Sequence, residues 1–205
     1  MNGAELPIDV SRETEARLWR HLHLLQTWTR RINLVAPSTL GDPWLRHVRD
    51  SAQLLPMVPS TARHLTDLGT GGGFPGLTCA IIAAEQRPNL HVTLVESDHR
   101  KSAFLAYVVG DLALKNVHLR TARAETLAPA EADVLTARAF APLPRLLDLA
   151  VPHLASGGHL LLLKGERWRE EVFEARNDWT FTLTTTPSIT NPSAAVLDIG
   201  ALHRA

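Results

Sequence analysis

One stretch decides the fold of this chain: His64-Leu65-Thr66-Asp67-Leu68-Gly69-Thr70-Gly71-Gly72-Gly73-Phe74-Pro75-Gly76. A short apolar run ends at Leu68, five glycines fall within the next eight residues, and an apolar helical pattern opens at Pro75. Glycine accepts positive φ and lets the backbone approach a ligand without a Cβ in the way. The stretch therefore predicts a strand, a ligand-binding loop and a helix, placed where open α/β sheets bind ligands.

The ligand of this loop has two main interpretations. Residues 71–76 satisfy the dinucleotide pattern G-x-G-x-x-G, which by itself is a weak signal. Asp67, directly before the glycines, favours a ligand with an ammonium or sulfonium centre over a pyrophosphate. A second acid, Glu96, follows the strand-like residues 92–95, where an acid in doubly wound folds accepts hydrogen bonds from a ribose. A third interpretation is an ordinary junction of strand and helix that binds nothing.

Composition and charge describe a globular chain without an extreme partner preference. The 205 residues are 45% hydrophobic and 20% charged, which suits one domain with a small N-terminal extension. Lys plus Arg and Asp plus Glu number 21 each, which counts against a protein that coats bare nucleic acid but allows a local basic groove. The lone cysteine, Cys79, predicts a reducing compartment and a buried apolar role.

Targeting and metal-binding patterns are also missing from the sequence. The N-terminus lacks a signal-peptide pattern, and no apolar run reaches the roughly 18 residues of a membrane span. We therefore expect a cytoplasmic protein without membrane contact. The ten histidines do not form a metal-ligand spacing, so no metal site is predicted.

Hydrophobic periodicity predicts alternating strands and helices after residue 61. Ser11 is the expected N-cap of a first helix, and Asp98 caps a later one. Gly157-Gly158 is expected to form a turn, and Pro187 and Pro192 argue against a tight register between the last two strands. The remaining predicted elements are a helix over 43–55, helices over 75–85, 98–114, 143–154 and 168–177, and strands ending at residue 68 and over 91–95, 116–121, 132–136, 159–163, 179–186 and 194–199.

This pattern predicts an α/β fold. Alternating strands and helices indicate a mostly parallel sheet covered on both faces, and two final strands without an intervening helix indicate an antiparallel edge hairpin. Together they favour the seven-stranded, Rossmann-like sheet of class I methyltransferases, over residues 61–205. Residues 1–60 form a helical extension, whose stripe of Arg20, His23, Thr27 and Arg31 is either a solvated face or a lid over an RNA backbone.

Several stretches resemble one family. Residues 67–73 are similar to motif I of S-adenosylmethionine-dependent methyltransferases. The full set, in order, is Asn33-Leu34, Trp44-Leu45-Arg46-His47-Val48-Arg49-Asp50-Ser51, residues 67–76, Leu94-Val95-Glu96-Ser97 with Arg100-Lys101 and Phe104-Leu105, Ala137-Arg138-Ala139, and Leu163-Lys164-Gly165. It resembles the RsmG (GidB, glucose-inhibited division protein B) family of bacterial 16S ribosomal RNA guanine-N7 methyltransferases. The resemblance covers roughly residues 18–165; the C-terminus lacks the expected lysine-rich tail.

The resemblance implies a cofactor, a substrate and site residues. The cofactor is S-adenosyl-L-methionine, and the substrate is N7 of a guanosine in the decoding-region (530) loop of 16S rRNA, in the small subunit or an assembly precursor. The implied cofactor residues are Asp67, Gly69, Thr70, Gly71, Gly73, Phe74, Glu96, Ser97, Ala124, Glu125 and Arg138. Arg138 also positions the substrate, and the implied RNA-binding candidates are Arg46, His47, Arg49 and Lys164. A monomer without a metal is expected.

The implied chemistry needs no general base, because guanine N7 carries an in-plane lone pair. Catalysis then consists of holding N7 and the methyl carbon in line, about 3–3.5 Å apart, in a site closed to water. Arg138 suits the guanine O6, a phosphate or the cofactor carboxylate, and Phe140 or Trp168 are possible stacking partners for the base. The alternatives are a small-molecule or protein acceptor, a nicotinamide dinucleotide-binding protein, and a non-catalytic RNA-binding or assembly factor.

Overall fold

The computed structural model describes residues 5–205. Within them, seven strands form one sheet in the order β3-β2-β1-β4-β5-β7-β6. The strands are β1 His64–Leu68, β2 His91–Glu96, β3 Val117–Thr121, β4 Ala132–Arg138, β5 Leu154–Lys164, β6 Trp179–Pro187 and β7 Ala195–Arg204. The helices are α1 Arg12–Thr29, α2 Asp50–Ala52, α3 Gly76–Gln86, α4 His99–Asp111, α5 Leu143–Ala150 and α6 Trp168–Ala175, with a π-helical segment at Trp44–Arg49.

The order of the strands reverses at β1. Strands β2 and β3 follow on one side of β1 and strands β4 and β5 on the other, and all five are parallel. Strand β7 lies antiparallel between β5 and β6. The predicted class I methyltransferase sheet with its antiparallel edge hairpin is therefore confirmed. In such sheets a ligand binds outside the carboxyl ends of the strands at the point of reversal, here between β1 and β4.

Apolar side chains cover both faces of the sheet. One cluster joins α1, α3 and α4 to the sheet and contains Leu22, Ile81 and Phe104, which are all buried. The other lies under α5 and α6 and contains Leu135 and Leu146. Because α1 shares its core with α3 and α4, its position beside the glycine loop is set by the same hydrophobic packing as the sheet.

Two predicted helix caps are confirmed. The Ser11 hydroxyl accepts a hydrogen bond from the Thr14 N–H at 3.2 Å, at the start of α1. Asp98 accepts the N–H groups of Arg100 and Lys101 at the start of α4. Both side chains bond backbone donors that a first helical turn leaves unpaired, so short-range sequence chemistry locates these helix starts.

The predicted helix over 43–55 has a different form. It begins as the π-helical segment Trp44–Arg49, continues as the single turn of α2, and ends in the 3₁₀ turn Leu55–Met57. The wider π-helical turn is common at functional sites. Here it brings Arg46, His47 and Asp50 to one cavity.

The prediction for residues 143–158 was wrong in its boundaries. Helix α5 ends at Ala150, because Pro152 has no N–H to continue the helix, and the 3₁₀ turn Val151–His153 follows. Strand β5 already begins at Leu154, so the two glycines lie within it. Gly157 has φ +78°, and the pairing with β4 is irregular at this point, which makes the glycines a bulge rather than a turn.

The expectation that the prolines prevent a tight register in the final hairpin was also wrong. Strands β6 and β7 pair in continuous register from Thr182 with Gly200 to Pro187 with Ala195, and the register shifts only between Thr180 and Thr182, away from the prolines. Pro187 is the last residue of its strand and Pro192 lies in the loop, so neither proline removes a hydrogen bond from the middle of the ladder.

Candidate active site

A cavity of about 760 Å³ opens at the carboxyl edge of the sheet, where the strand order reverses. This volume is typical of sites for small molecules. The predicted site residues that line it are Arg46, His47, Gly69, Thr70, Gly71, Phe74, Arg138 and Lys164. The structure thus brings together residues from the N-terminal region, the glycine loop and the ends of β4 and β5.

A second cavity of about 220 Å³ lies beside the first and is lined by Ser97, Ala124 and Glu125. Gly69 and Phe140 line both cavities. The Phe140 ring covers Gly69 so closely that a Cβ added there would overlap it. The predicted cofactor residues therefore form two groups, and Gly69 and Phe140 lie at the boundary between them.

The glycine loop has the backbone conformation that its sequence requires. Gly69, Gly71 and Gly73 have φ values of +67°, +57° and +96°, in the region that side chains rarely adopt. A Cβ on Gly76 would lie 2.5 Å from the Cβ of Asp67, so the start of α3 packs against the end of β1 only because residue 76 is glycine.

Asp67 lies beneath the glycine loop and lines neither cavity. Its carboxylate is fully buried and accepts the Gly76 N–H at 2.9 Å and the Thr136 hydroxyl at 2.8 Å. Burial raises the pKa of Asp67 to about 6, although these hydrogen bonds oppose the shift. In this arrangement Asp67 joins β1, β4 and α3, and its contact with a cofactor stays a prediction.

Glu96 fastens the glycine loop to the end of β2. It is buried, and its two carboxylate oxygens accept the Gly71 N–H at 2.9 Å and the Asp98 N–H at 2.8 Å. Each carboxylate oxygen can accept a second hydrogen bond, so capacity for a hydroxyl donor remains. Like Asp67 and Gly73, Glu96 lies outside the lining of the two cavities.

Arg138 extends from the end of β4 to the N-terminal region. Its Nη1 donates to the Arg46 carbonyl at 2.9 Å and lies 3.3 Å from a carboxylate oxygen of Asp50. Burial lowers the pKa of Arg138, and the charge of Asp50 opposes that shift. The guanidinium also lies 5.4 Å from the ring centroid of Phe74, within the range of a cation–π contact.

His47 is held as a neutral imidazole. Arg138 can only donate, so the 2.6 Å contact between its Nη2 and His47 Nδ1 requires an unprotonated Nδ1. The proton then sits on Nε2, which donates to the Thr39 hydroxyl at 2.8 Å. Burial, assisted by the charge of Arg138, lowers the pKa of His47 to about 3.

An aromatic stack links α1 to this group. The ring of Phe74 stacks between His47, at 4.8 Å, and His21, at 4.9 Å between ring centroids. Nε2 of His21 lies 2.8 Å from the Gly72 carbonyl, and burial lowers the pKa of His21 to about 4. The glycine loop is thus held by side chains from both ends of the N-terminal region.

Lys164 is engaged inside the protein. Its Nζ donates to the Ala141 carbonyl at 2.8 Å and lies 2.6 Å from the Glu171 carboxylate, with only 8% of the lysine side chain exposed. The same Glu171 oxygen accepts the Leu143 N–H at 2.7 Å. This pair fixes the loop between β4 and α5. An RNA phosphate would have to compete with Glu171 for the Lys164 ammonium, so RNA binding by Lys164 stays a prediction.

Two other candidates lie outside the cavities. Arg49 is half-buried and does not belong to either lining, and Trp168 packs against the second apolar cluster with the Arg169 guanidinium 4.3 Å from the centre of its ring. Arg20, from the stripe on α1, forms an ion pair with Asp111 of α4 at 2.8 Å. For Arg20, this exposed ion pair supports the interpretation of the stripe as a solvated face.

Sequence reasoning missed part of the lining. The additional residues are Thr39 and Asp50 from the N-terminal region and Ser188, Thr190 and Asn191 from the loop between β6 and β7. Asp50 lies within a quoted motif, so a local signal was available for it. The hairpin loop had none, because only the pairing of β7 with β5 carries it to the carboxyl edge.

The chemistry of the lining suits an acceptor that supplies its own electron pair. His47 Nδ1 and the Asp50 carboxylate both bond Arg138, and Glu171 bonds Lys164. Each of these three groups is therefore paired with a cation of the lining. Cations and backbone groups that position an acceptor are what the site offers, which suits a reaction without proton removal.

Within residues 5–205, no group of three or more His, Cys, Asp or Glu residues is placed to hold a metal ion. None of the described helices is long and apolar enough to cross a membrane.

Comparison with known proteins identifies the family. A family model described as rRNA small subunit methyltransferase G matches residues 14–199. The chain belongs to this family. The ribosomal RNA small subunit methyltransferase G of Rhodospirillum rubrum is 46% identical over 203 residues, covering 99% of this chain and 97% of the relative. The protein of the same name from Paramagnetospirillum magneticum is 47% identical over 195 residues, covering 95% and 92%.

Solved structures agree on the fold. A SAM-dependent methyltransferase from Aquifex aeolicus is similar with a TM-score of 0.59 at 12% identity, covering 88% of this chain and 97% of that one. M. jannaschii TYW2 in complex with AdoMet is similar with a TM-score of 0.55 at 14% identity, covering 78% and 76%. The family resemblance read from the motifs is confirmed, and so is the methyltransferase fold.

Proposed function

We propose that this protein transfers the methyl group of S-adenosyl-L-methionine to N7 of a guanosine in the decoding-region (530) loop of 16S rRNA. The observation that carries the proposal is the pair of adjacent cavities that share Gly69 in their linings, at the strand reversal of a chain in the small-subunit rRNA methyltransferase G family. Family membership supports a small-subunit rRNA substrate. The shape of the cleft supports a cofactor with two dissimilar ends.

The residues present fit that cofactor. The glycine loop offers a surface without side chains, and a Cβ on Gly71 would meet only the Gly69 and Leu34 carbonyl oxygens, both at 3.8 Å, so the backbone there is not crowded. Ser97, Ala124 and Glu125 would hold the adenosine end in the smaller cavity, and Glu96 has acceptor capacity for the ribose. Gly69, Thr70, Gly71 and Phe74 would hold the methionine end. Bound there, the cofactor supplies an electrophilic methyl group.

The residues of the chain then act on the guanosine by position. Guanine N7 attacks with its own lone pair. This suits a lining in which His47, Asp50 and Glu171 are paired with cations. Arg138, held on three sides, would donate to O6 or to a phosphate. Its contacts with Asp50, His47 and the Arg46 carbonyl would keep it in place without reorganisation during the reaction.

Contact with RNA is assigned to the rim of the larger cavity. Arg46 is exposed there, whereas His47 and Lys164 are bonded inside the protein, so Arg46 is the strongest of the predicted RNA contacts. Arg49 would act from outside the cavity. We further propose that residues 1–60 are an extension packed on a methyltransferase domain of residues 61–205, and that the protein is a cytoplasmic monomer that needs no metal.

The test uses small ribosomal subunits and protein-free 16S rRNA from a strain that lacks the enzyme, each incubated with methyl-labelled S-adenosylmethionine. Reduction with borohydride followed by aniline cleavage locates 7-methylguanosine, and we expect one cleavage site in the 530 loop. Subunits from a strain that has the enzyme are the matched control, and should accept little label.

Other outcomes select the alternatives. Methyl label in a small molecule or a protein, in the absence of RNA, would show that the acceptor is not RNA. Ribosome binding without transfer at saturating cofactor would make the protein an assembly factor. Calorimetry with NAD and with S-adenosylhomocysteine distinguishes a dinucleotide-binding protein from a methyltransferase. The dinucleotide interpretation requires NAD to bind more tightly than S-adenosylhomocysteine.

A further inference from the structure

The carboxylate of Asp50 lies where three distant segments of the chain meet. One oxygen is 3.3 Å from Nη1 of Arg138, at the end of β4. The other accepts the Thr190 hydroxyl at 2.6 Å and the Ser188 hydroxyl at 3.3 Å, both from the loop between β6 and β7. The Asp50 and Arg138 side chains are only 15% and 19% exposed, so water screens these contacts weakly.

The backbone of the same loop is fastened beside Asp50. Gln53 donates from Nε2 to the carboxylate and the carbonyl of Asp50, at 3.0 Å and 2.8 Å, and its Oε1 accepts the Ile189 N–H at 3.1 Å. The loop is also closed on itself, since the Ser188 N–H donates to the Ala194 carbonyl at 3.0 Å. Side chains and main chain of the loop are therefore fixed to one point of the N-terminal region.

We propose that Asp50 is a positioning residue that holds Arg138 and the β6–β7 loop in a single arrangement, and that this loop forms the wall of the cavity against which the acceptor guanosine rests. The inference rests on the proposed function. It assigns to the C-terminal hairpin a part in acceptor binding that its sequence did not indicate.

Asn191 is the residue of the loop that is suited to contact the acceptor. It lines the larger cavity, and its Oδ1 accepts the Ser193 N–H at 3.0 Å. That bond orients the side-chain amide, and it uses the oxygen while the two Nδ2 hydrogens remain available as donors. Guanine presents acceptor atoms on its edge, so an oriented amide donor can bond to it while N7 is left for the methyl group.

A negative charge is needed at position 50 because the Asp50 and Arg138 side chains are largely withdrawn from water. Removing one partner of such a pair leaves the charge of the other uncompensated. Alanine at position 50, which has neither a charge nor an acceptor oxygen, would release both Arg138 and Thr190. Removing only the Thr190 hydroxyl would release the loop and leave the contact between Asp50 and Arg138. The two substitutions therefore distinguish the role of Asp50 in holding the loop from its role in holding Arg138.

The test compares Asp50→Ala, Thr190→Val and the double variant with the wild-type protein. Thr185→Val, on the exposed part of β6, is the matched control for the same change of side chain away from Asp50. For Thr190→Val we expect S-adenosylhomocysteine affinity within about twofold of wild type and a kcat for methyl transfer to RNA reduced about tenfold. Asn191→Ala should raise the KM for the acceptor. The double variant should lose no more than Asp50→Ala alone, because both changes break the same contact.

Backbone hydrogen exchange tests the arrangement without any catalytic readout. The amides of residues 188–191 should exchange at least about tenfold faster in Asp50→Ala and in Thr190→Val, whereas those of β4 and β5 keep their wild-type rates. Unchanged exchange in the loop, or losses in kcat that multiply in the double variant, would overturn the proposal. If the wild-type protein methylates no RNA, the proposed function fails, and the exchange experiment still decides whether Asp50 holds the loop.

Discussion

Arg138 and His47 form a donor–acceptor pair, with Nη2 of the arginine 2.6 Å from Nδ1 of the histidine. The pair links the end of β4 to the π-helical segment, and it requires the histidine to be neutral. Because Asp50 and the Arg46 carbonyl bond the same guanidinium, the fork of Arg138 is oriented before any substrate arrives. Such preorganisation is the main contribution that a positioning residue makes to a methyl transfer without a base.

Replacing Arg138 by lysine should therefore damage activity although the charge is kept. A single ammonium cannot reach the Arg46 carbonyl, Asp50 and His47 in the geometry of a planar fork. We expect kcat/KM for methyl transfer to fall about 100-fold. The matched control is Arg204→Lys, whose guanidinium pairs with Asp148 on the surface. A lysine variant as active as this control would show that only the charge of Arg138 matters.

The glycine loop can be tested by comparing a glycine-to-alanine substitution inside the loop with the same substitution elsewhere. At Gly69, alanine would overlap Phe140 and adopt an unfavourable positive φ, so S-adenosylhomocysteine affinity should fall more than about tenfold by calorimetry. At Gly110, within α4, a Cβ meets nothing within 4 Å. Alanine there should raise the free energy of unfolding by about 0.5–1 kcal/mol and leave affinity unchanged. Tight binding by Gly69→Ala would remove the loop from the cofactor site.

Lys164 offers a choice between a structural and an RNA-binding role. If its contact with Glu171 dominates, Lys164→Met should lower the free energy of unfolding by about 3 kcal/mol, because the glutamate is left unpaired. Adding Glu171→Gln should restore part of that loss. Arg46→Met, at an exposed position, should change stability by less than about 0.5 kcal/mol and should reduce the salt dependence of RNA binding. If Lys164→Met is as stable as the wild-type protein but binds RNA more weakly, Lys164 is an RNA-binding residue.

Stability should depend on pH through the two buried histidines. The pKa of His21 is lowered to about 4 and that of His47 to about 3, so below pH 6.5 the unfolded chain binds more protons than the native protein. The free energy of unfolding should then fall with decreasing pH. The raised pKa of Asp67, about 6, acts in the opposite sense. Between about pH 7.5 and pH 5.5 we expect a net loss of about 2 kcal/mol.

Urea unfolding at the two pH values measures this difference. The variant with His21→Gln and His47→Gln should show little loss at the lower pH, or a gain, because only Asp67 then remains of the three. Wild-type stability that rises towards pH 5.5 would contradict the assignment of neutral histidines in the stack around Phe74.

Several features followed from the sequence because they depend on neighbouring residues. The caps at Ser11 and Asp98, the glycine loop and the alternating strands all reflect backbone preferences and hydrophobic periodicity over a few residues. The π-helical turn before Asp50 and the bulge at Gly157 did not follow. Each depends on how a segment packs or pairs with a distant strand or helix.

The sequence by itself therefore determined the class of fold, the family and the place of the site, because glycines of positive φ between a strand and a helix leave few alternatives. Only the tertiary structure decided what the acidic side chains do. Asp67 and Glu96 accept hydrogen bonds from backbone N–H groups of the glycine-rich stretch. Asp50 accepts a hydrogen bond from the Thr190 hydroxyl, 140 residues away in the chain. The physical reason is that strand register and burial select which polar atoms find partners inside the protein, and therefore which remain free for a ligand.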